Sequence, residues 1–219
     1  MRKFNGVVFD LNGTLLWDTR LHNQAWDTFL ARHKLALTDH EKDIKIHGLN
    51  NELIFPAIFN RQLSAAEIAN YITEKEAIYR ELFVKSGIDF APGAIDLIHF
   101  LRKIRVSVAI ATASGRENVD FYIRHLRLDE LVDPQFIVFN DGSYKSKPDP
   151  DIFLAAIHRL KLESNQVVIF EDSIAGIEAA RRANAGKIFI VSSNREDHPT
   201  SDDEVITSFD QVNRDIFNE

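Results

Sequence analysis

The chain has 219 residues, of which 45% are hydrophobic and 27% charged, with only 9 glycines and 6 prolines. The length lies above the usual size of one domain but below that of two, which predicts a core carrying one inserted module. The composition is that of an ordinary globular protein, and it excludes collagen-like, low-complexity and largely disordered chains. The net charge of −7 argues against nucleic acid as the main partner, and the absence of cysteine excludes disulfides, thiolate zinc sites and cysteine nucleophiles.

Short runs of β-branched and aromatic residues alternate with helical patterns along most of the chain. Strands are predicted at residues 4–9, 106–111, 136–139, 167–170 and 187–191. Helices are predicted between them at residues 93–103, 116–126, 150–160 and 174–183. Repeated strand-helix-strand units of this kind predict an α/β fold with a doubly wound parallel sheet.

The alternation breaks after the first strand, where residues 15–90 show helical patterns and no convincing strand. One helix start is marked by Ser64 and Glu67, which have the spacing of a capping box. We therefore predict an α/β core formed by residues 1–14 and 91–219, with an all-helical cap inserted at residues 15–90. Gly13 and residues 89–93 mark two linkers that would form a hinge.

The two ends of the chain give further expectations. Residues 192–204 are polar and predict a loop, whereas residues 205–219 predict an edge strand followed by a final helix. The start of the chain lacks the features of a signal peptide, and no run approaches the roughly 20 apolar residues of a membrane helix. A cytoplasmic protein with no membrane partner is therefore expected.

Polar side chains follow the predicted strands at the points where the strands end. Because ligands of open α/β sheets bind beyond the carboxyl ends of the strands, these side chains are the candidate site. In chain order they are Asp10, Asn12, Thr112, Ser114, Lys147, Glu171 and Asp172, to which Ala113 adds its backbone N–H.

Together these groups suit phosphoryl transfer, which requires an in-line nucleophile and neutralisation of charge on the transferred oxygens. Asp10 is the candidate nucleophile, and Asp10, Glu171 and Asp172 offer the oxygen ligands that Mg²⁺ prefers. Lys147 would supply a fixed positive charge. The Thr112 hydroxyl and the backbone N–H groups that follow it would hold the phosphoryl oxygens.

Four motifs occur in order along the chain: FDLNGTL, IATAS, KPDPDIF and FEDSIAGIEAA. With them the chain resembles the haloacid dehalogenase superfamily, in the branch that contains β-phosphoglucomutase and phosphoglycolate phosphatase and has a helical C1-type cap. The resemblance implies a Mg²⁺-dependent phosphatase of small phosphorylated metabolites that forms an aspartyl-phosphate on Asp10. It also implies that the backbone carbonyl of Asn12 is a metal ligand and that the cap closes over the substrate.

The first motif departs from the family at Asn12, where members usually have an aspartate that acts as general acid and base. An amide cannot exchange a proton near neutral pH, and this form of catalysis is worth about 10² to 10⁴ in rate. Three interpretations stay open: a substitution introduced to trap a complex, an enzyme whose substrate has a good leaving group such as an acyl phosphate, or a binder without turnover. We expect Asn12→Asp to raise phosphatase activity.

Three residues of the predicted cap are candidates for substrate contact. His22 and Lys75 lie in the middle of apolar helical stripes, where the alternatives are a packed core histidine and a lysine that extends to water. Both resemble the cap histidine and lysine of β-phosphoglucomutase. Asn51 stands in place of the cap-loop arginine of that enzyme, and loss of this phosphate clamp argues against a mutase, which must hold a second phosphate.

The competing functions are a phosphomutase and a non-catalytic binder of phosphorylated metabolites. A two-component receiver would place its acidic pair near the first strand rather than the fourth. P-loop and dinucleotide-binding fingerprints are absent from the sequence, and a dehalogenase would not need the metal ligands. The sequence identifies neither the substrate nor the oligomeric state, and it is compatible with a monomer.

Overall fold

The structure is a computed structural model that describes residues 3–193 and 203–218. Within these ranges the helices and strands alternate along most of the chain, and a block of consecutive helices follows the first strand. In chain order the elements are β1 (Gly6–Phe9), α1 (Thr19–Arg32), α2 (Asp39–Lys45), α3 (Asn51–Phe59), α4 (Ala65–Ser86), α5 (Ala94–Lys103), β2 (Ser107–Gly115), α6 (Arg116–Leu126), α7 (Leu128–Leu131), β3 (Ile137–Asn140), α8 (Asp151–Leu160), β4 (Val167–Glu171), α9 (Ile174–Arg182), β5 (Lys187–Val191) and β6 (Glu204–Ile206).

The six strands form one sheet in the order β3-β2-β1-β4-β5-β6, and every neighbouring pair is parallel. This confirms the predicted α/β fold and the predicted edge strand, which is β6. The strand order reverses direction between β1 and β4, and such a switch point opens a crevice at the carboxyl ends of the strands. Asp10 directly follows β1 and Glu171 ends β4, so the topology brings both to this crevice.

The sheet is buried on both faces, which explains why its strands are apolar runs without polar alternation. On one face Phe9, Phe170 and Phe189 stack across three strands, with ring centroids 4.9 Å and 4.8 Å apart. On the other face Val8 and Ile169 belong to a second cluster with side chains of α8. These layers hold the carboxyl ends of the strands in fixed positions.

Helices α1 to α4, here called the helical insert, occupy the chain between β1 and α5. Their core is aromatic: Phe29 of α1 lies 5.4 Å from Phe55 of α3 and 5.8 Å from Tyr71 of α4, measured between ring centroids. The predicted capping box is confirmed, because the Ser64 hydroxyl accepts from the Glu67 N–H and the Glu67 carboxylate accepts from the Ser64 N–H. The insert therefore has its own packed core.

Two adjacent chain segments join the helical insert to the sheet. Leu16 pairs with Phe90 in an isolated antiparallel bridge, and the Ala91 N–H donates to the Leu15 carbonyl at 2.8 Å. Gly13 lies before this crossing and has a φ of +83°, which favours glycine. The two predicted linkers thus run side by side.

The final helix predicted within residues 205–219 is wrong. After β6 the chain forms two short 3₁₀ turns, Phe209–Gln211 and Arg214–Phe217. The side chains of Ser208 and Asn213 each accept a hydrogen bond from the backbone N–H two residues later, and such local bonds compete with helix formation. Of the loop predicted at 192–204, residues 194–202 lie outside the described residues.

Among the described residues, no helix combines the length and apolar character that crossing a bilayer requires.

Candidate active site

A cleft opens between the carboxyl ends of the strands and the helical insert. Most of the residues predicted from the sequence line it: Asp10, Asn12, His22, Asn51, Lys75, Thr112, Ala113, Ser114 and Asp172. The two remaining candidates, Lys147 and Glu171, lie beneath its floor and are buried. The structure therefore brings all the predicted residues to one region.

Three carboxylates meet at the floor of the cleft. Asp10, Glu171 and Asp172 each place an oxygen within 4.8 Å of the others. Lys147 joins two of them, because its Nζ lies 2.6 Å from Asp10 Oδ1 and 2.5 Å from Glu171 Oε1. The Lys147 ammonium group thus provides one positive charge beside three acidic groups that are buried or half-buried.

Burial and the excess of negative charge together raise the pKa values of two of these carboxyl groups. Burial raises the pKa of Asp10 to about 7, with Lys147 opposing the rise and Glu171 adding to it. Burial also raises the pKa of Asp172, and the Glu171 and Asp10 charges add to that effect. Burial alone would lower the pKa of Lys147, but the Asp10 and Glu171 carboxylates raise it above its usual value. Carboxylate oxygens with uncompensated charge are the donor set that a hard divalent cation prefers.

Neighbouring groups fix the acidic side chains in place. Ser173 donates to Glu171 Oε2 through its backbone N–H at 2.6 Å and its hydroxyl at 3.1 Å. Residue 176 is glycine because a Cβ there would lie 1.7 Å from Glu171 Oε1. The Thr14 hydroxyl donates to Asp172 Oδ1 at 2.9 Å. The carboxylates are therefore positioned by the loops that follow β1 and β4.

The predicted phosphate-binding segment lies at the end of β2. Thr112 is buried, whereas Ala113 and Ser114 are partly exposed to the cleft. The Ser114 N–H donates to the Thr112 hydroxyl oxygen at 3.1 Å. The Ser114 N–H is one of the backbone donors that were expected to hold phosphoryl oxygens. In the structure it is already hydrogen-bonded within the segment.

The Asn12 side chain is held by three partners. Its Nδ2 donates to Asp18 Oδ2 and to the Tyr122 hydroxyl, both at 2.7 Å. Its Oδ1 accepts from the Ser114 hydroxyl at 2.8 Å. Tyr79 of α4 completes the cluster by donating to Asp18.

Sequence reasoning missed Asp18, Tyr79 and Tyr122 as members of the site. Burial would raise the pKa of Asp18, but His22 and the hydrogen bonds of Tyr79 and Asn12 lower it below its usual value. The available signal for Asp18 was its place between two apolar segments of the sequence. That pattern does not distinguish a site residue from a helix N-cap, of which it is equally typical. Asp18 makes no such capping bond.

His22 and Lys75 face each other on the insert side of the cleft. Lys75 Nζ lies 3.0 Å from His22 Nδ1 and 3.0 Å from Glu76 Oε1. Lys75 is only 3% exposed, so it does not extend to water and its charge is balanced by Glu76 inside the protein. Glu76 Oε2 in turn accepts from Asn118 of α6 at 2.7 Å.

His47 also lines the cleft and was not predicted from the sequence. It lies in the loop after α2, and its Nε2 is 2.9 Å from Asn23 Oδ1. Burial lowers its pKa to about 4, and the nearby His22 and Lys75 add to the effect. His47 is therefore neutral near pH 7 and serves as a hydrogen-bonding group rather than a cation.

Comparisons with known proteins give matches over most of the chain. A family profile described as "Haloacid dehalogenase-like hydrolase" matches residues 7–194. A crystal structure of a "HAD hydrolase, family IA, variant 3" from Entamoeba histolytica covers 100% of both chains with a TM-score of 0.85 and 32% identity.

Two curated relatives are similar over most of their length. Hexitol phosphatase A of Escherichia coli is 30% identical over 207 residues, which are 94% of this chain and 92% of the relative. A phosphorylated carbohydrates phosphatase of Thermotoga maritima is 27% identical over 195 residues, with 87% of each chain covered. The likeness therefore spans the sheet and the helical insert.

Proposed function

Because the chain belongs to the haloacid dehalogenase-like hydrolases, we propose that it is a Mg²⁺-dependent phosphatase of small phosphorylated metabolites. The observation that carries the proposal is the position of Asp10: it faces the cleft, is held by Lys147 at 2.6 Å, and shares the floor with Glu171 and Asp172. A carboxylate at this point can form an aspartyl-phosphate.

The acidic cluster fits a magnesium ion. Asp10, Glu171 and Asp172 would hold it through their carboxylate oxygens, and the family resemblance adds the backbone carbonyl of Asn12. When bound, Mg²⁺ neutralises negative charge on the phosphoryl group and so reduces its repulsion of an anionic nucleophile. The raised pKa values of Asp10 and Asp172 support this assignment, because they mark a site with too little positive charge.

The chain's own residues carry the proposed reaction. An Asp10 carboxylate oxygen attacks the phosphorus in line with the leaving oxygen, while Lys147 favours the ionised form of Asp10 and orients it. The Thr112 hydroxyl and the backbone N–H of Ala113 bind phosphoryl oxygens. Water then attacks the phosphorus of the aspartyl-phosphate, which releases phosphate and regenerates Asp10.

The substrate's leaving group lies on the insert side of the cleft, where His22, Asn51 and Lys75 are placed to contact it. The Lys75 charge is already balanced by Glu76 at 3.0 Å. This environment favours a neutral, hydroxyl-bearing group over a second phosphate, and so it favours phosphatase over phosphomutase activity. The curated relatives that act on phosphorylated carbohydrates and hexitols support the same substrate class.

A second candidate is a binder of phosphorylated metabolites with impaired turnover. One observation favours it: Asn12 cannot donate a proton to a leaving oxygen or accept one from water. A phosphatase with this residue is expected to act best on substrates whose leaving group needs no proton, such as an acyl phosphate.

Phosphate release from a panel of substrates tests the proposal. The panel contains sugar and alditol phosphates, phosphoglycolate and acetyl phosphate, each assayed with and without Mg²⁺. We expect metal-dependent release that is lost in Asp10→Ala and retained in Asp129→Asn, a control at an exposed aspartate of α7. Release that persists in Asp10→Ala contradicts the nucleophile. Binding of these compounds without release supports the second candidate.

A further inference from the structure

The orientation of the Asn12 amide is fixed by the chemistry of its partners. Asp18 is fully buried, and its carboxylate already accepts from the Gly13 N–H at 2.9 Å and from the Tyr79 hydroxyl. An ionised carboxylate only accepts hydrogen bonds, so the group that Asn12 turns toward it must be the NH₂. The carbonyl oxygen of the amide then faces Ser114 and the cleft.

Both N–H bonds of the amide are used inside the protein. One points to Asp18 Oδ2 and the other to the Tyr122 hydroxyl oxygen, each at 2.7 Å. Asn12 therefore has no donor left for a substrate, and the group it offers to the cleft is an acceptor. An amide serving as a hydrogen-bond donor to the leaving oxygen is excluded by this arrangement.

We propose that Asp18 is a positioning residue for phosphoryl transfer, which turns the carbonyl of residue 12 toward the cleft and requires a hydrogen-bond donor at that position. The proposal rests on the proposed phosphatase function. We call Asn12 and Asp18 a matched pair. Family members usually carry a negative charge at position 12, whereas this chain carries it on residue 18, which is hydrogen-bonded to residue 12 and lies further from the cleft.

The pairing changes what a substitution at position 12 can achieve. Asn12→Asp alone would place two carboxylates at hydrogen-bond distance, one of them the fully buried Asp18, and like charges repel strongly there. Asn12→Asp together with Asp18→Asn keeps one negative charge and reverses donor and acceptor across the same hydrogen bond. An aspartate facing the cleft is therefore expected to function only in the double variant. This replaces the expectation, drawn from the sequence alone, that Asn12→Asp raises activity, because the contact with Asp18 was not visible in the sequence.

The test is a double-mutant cycle on the full chain: wild type, Asn12→Asp, Asp18→Asn and the combined variant. Each protein is assayed for Tm, and for kcat and KM on p-nitrophenyl phosphate and on the alkyl phosphate that the wild type hydrolyses fastest. The aryl ester has a good leaving group and the alkyl ester a poor one, so a proton donor at position 12 matters for the alkyl ester. Asn140→Asp is the matched control, because Asn140 also donates to a carboxylate, that of Glu52 at 3.3 Å, but in an exposed place.

We expect Asn12→Asp to lower Tm by about 5 °C or more and the control to change it by less than about 2 °C. The double variant is expected to recover most of the lost Tm and to exceed Asn12→Asp in kcat for the alkyl ester by about tenfold or more. On the aryl ester the two should differ less than about threefold. Asp18→Asn alone should lower kcat more than it raises KM, because it releases the Asn12 amide, whereas its contact with His22, at 3.4 Å between Oδ2 and Nε2, is the longer one.

Additive Tm changes around the cycle would overturn the proposal, as would an Asn12→Asp variant whose alkyl-ester kcat equals that of the double variant. Failure of the phosphatase function is distinguishable, because a wild type that releases phosphate from no substrate leaves the Tm cycle intact. In that case a non-additive Tm supports the matched pair and an additive one refutes it.

Discussion

At the scale of single residues, His47 shows how burial in the cleft makes stability depend on pH. Its pKa in the folded protein is about 4, below the 6.5 of an exposed histidine. Between these values the unfolded chain binds a proton that the folded protein does not, so stability falls as the pH falls from about 6.5 toward 4. The Nε2 contact with Asn23 Oδ1 at 2.9 Å is the hydrogen bond that the neutral ring makes in the folded state.

Replacing His47 by glutamine removes this titration. We expect wild type to lose roughly 2 kcal/mol of unfolding free energy between pH 7 and pH 5 through this one group, and His47→Gln to lose that much less. Urea unfolding at the two pH values measures the difference. His158→Gln, at an exposed histidine of α8, is the control and should keep the wild-type pH dependence. If the unfolding free energy changes with pH by the same amount in all three proteins, His47 is solvated and the prediction is wrong.

At the scale of secondary structure elements, the strand ends that carry the site could be predicted for two reasons. Buried parallel strands are continuous apolar runs, and the residues that bind ligands come directly after the carboxyl ends of these strands. The α6 helix has the predicted bounds, 116–126, while β2 runs four residues beyond its predicted end at Ala111, into the candidate phosphate-binding segment. The absence of the predicted final helix did not follow from helix propensity, because Ser208 and Asn213 close local turns there instead.

The buried polar cluster around Asn12 could not be predicted from the sequence for a different reason. Asp18, Tyr79 and Tyr122 come from the insert junction, α4 and α6, and the two tyrosine hydroxyls lie 3.0 Å apart although the residues are 43 positions apart in sequence. No periodicity or spacing links positions on separate helices. The cluster exists because the helical insert packs on α6, which only the tertiary structure reveals.

A buried contact between α4 and α6 predicts how the insert affects substrate binding. Asn118 donates to Glu76 Oε2 at 2.7 Å, and Glu76 holds Lys75 at the cleft. Asn118→Ala leaves this carboxylate short of a donor, so we expect a loss of about 1 to 3 kcal/mol in stability and a rise in KM larger than the fall in kcat.

The control changes the N-terminal end of α4, the helix that carries Glu76. Ser64 caps α4 away from the cleft, and Ser64→Ala is expected to cost about 1 kcal/mol with KM unchanged. Steady-state kinetics and urea unfolding of both variants separate the two effects. If KM rises equally in both, loss of stability alone explains the Asn118 result and the contact has no role in binding.

At the scale of the whole molecule, the acidic cluster couples metal binding to stability. A carboxyl whose folded pKa is raised from 3.8 to about 7, as for Asp10, destabilises the fold as the pH rises between these values, because the unfolded chain releases its proton first. The chain also carries a net charge of −7, which adds general repulsion. Both effects favour uptake of a divalent cation above pH 7.

Magnesium is therefore expected to stabilise the folded protein. At pH 7.5 and about 100 times its Kd, Mg²⁺ should add about 2.7 kcal/mol, which for a chain of this size raises Tm by roughly 5 to 10 °C. The rise should be smaller at pH 5, where Asp10 keeps its proton. Thermal unfolding across a Mg²⁺ titration at both pH values measures this.

The variant Asp172→Asn separates metal binding from nonspecific salt effects. Its amide can still accept from Thr14, so the local fold is retained, but one negative charge leaves the cluster. Without metal we expect this variant to have a higher Tm than wild type, because it removes the buried charge and its repulsion by Glu171 and Asp10, the causes of the raised pKa of Asp172. With saturating Mg²⁺ the order should reverse, since the variant lacks a ligand. A parallel rise in both proteins would mean that the ion binds elsewhere.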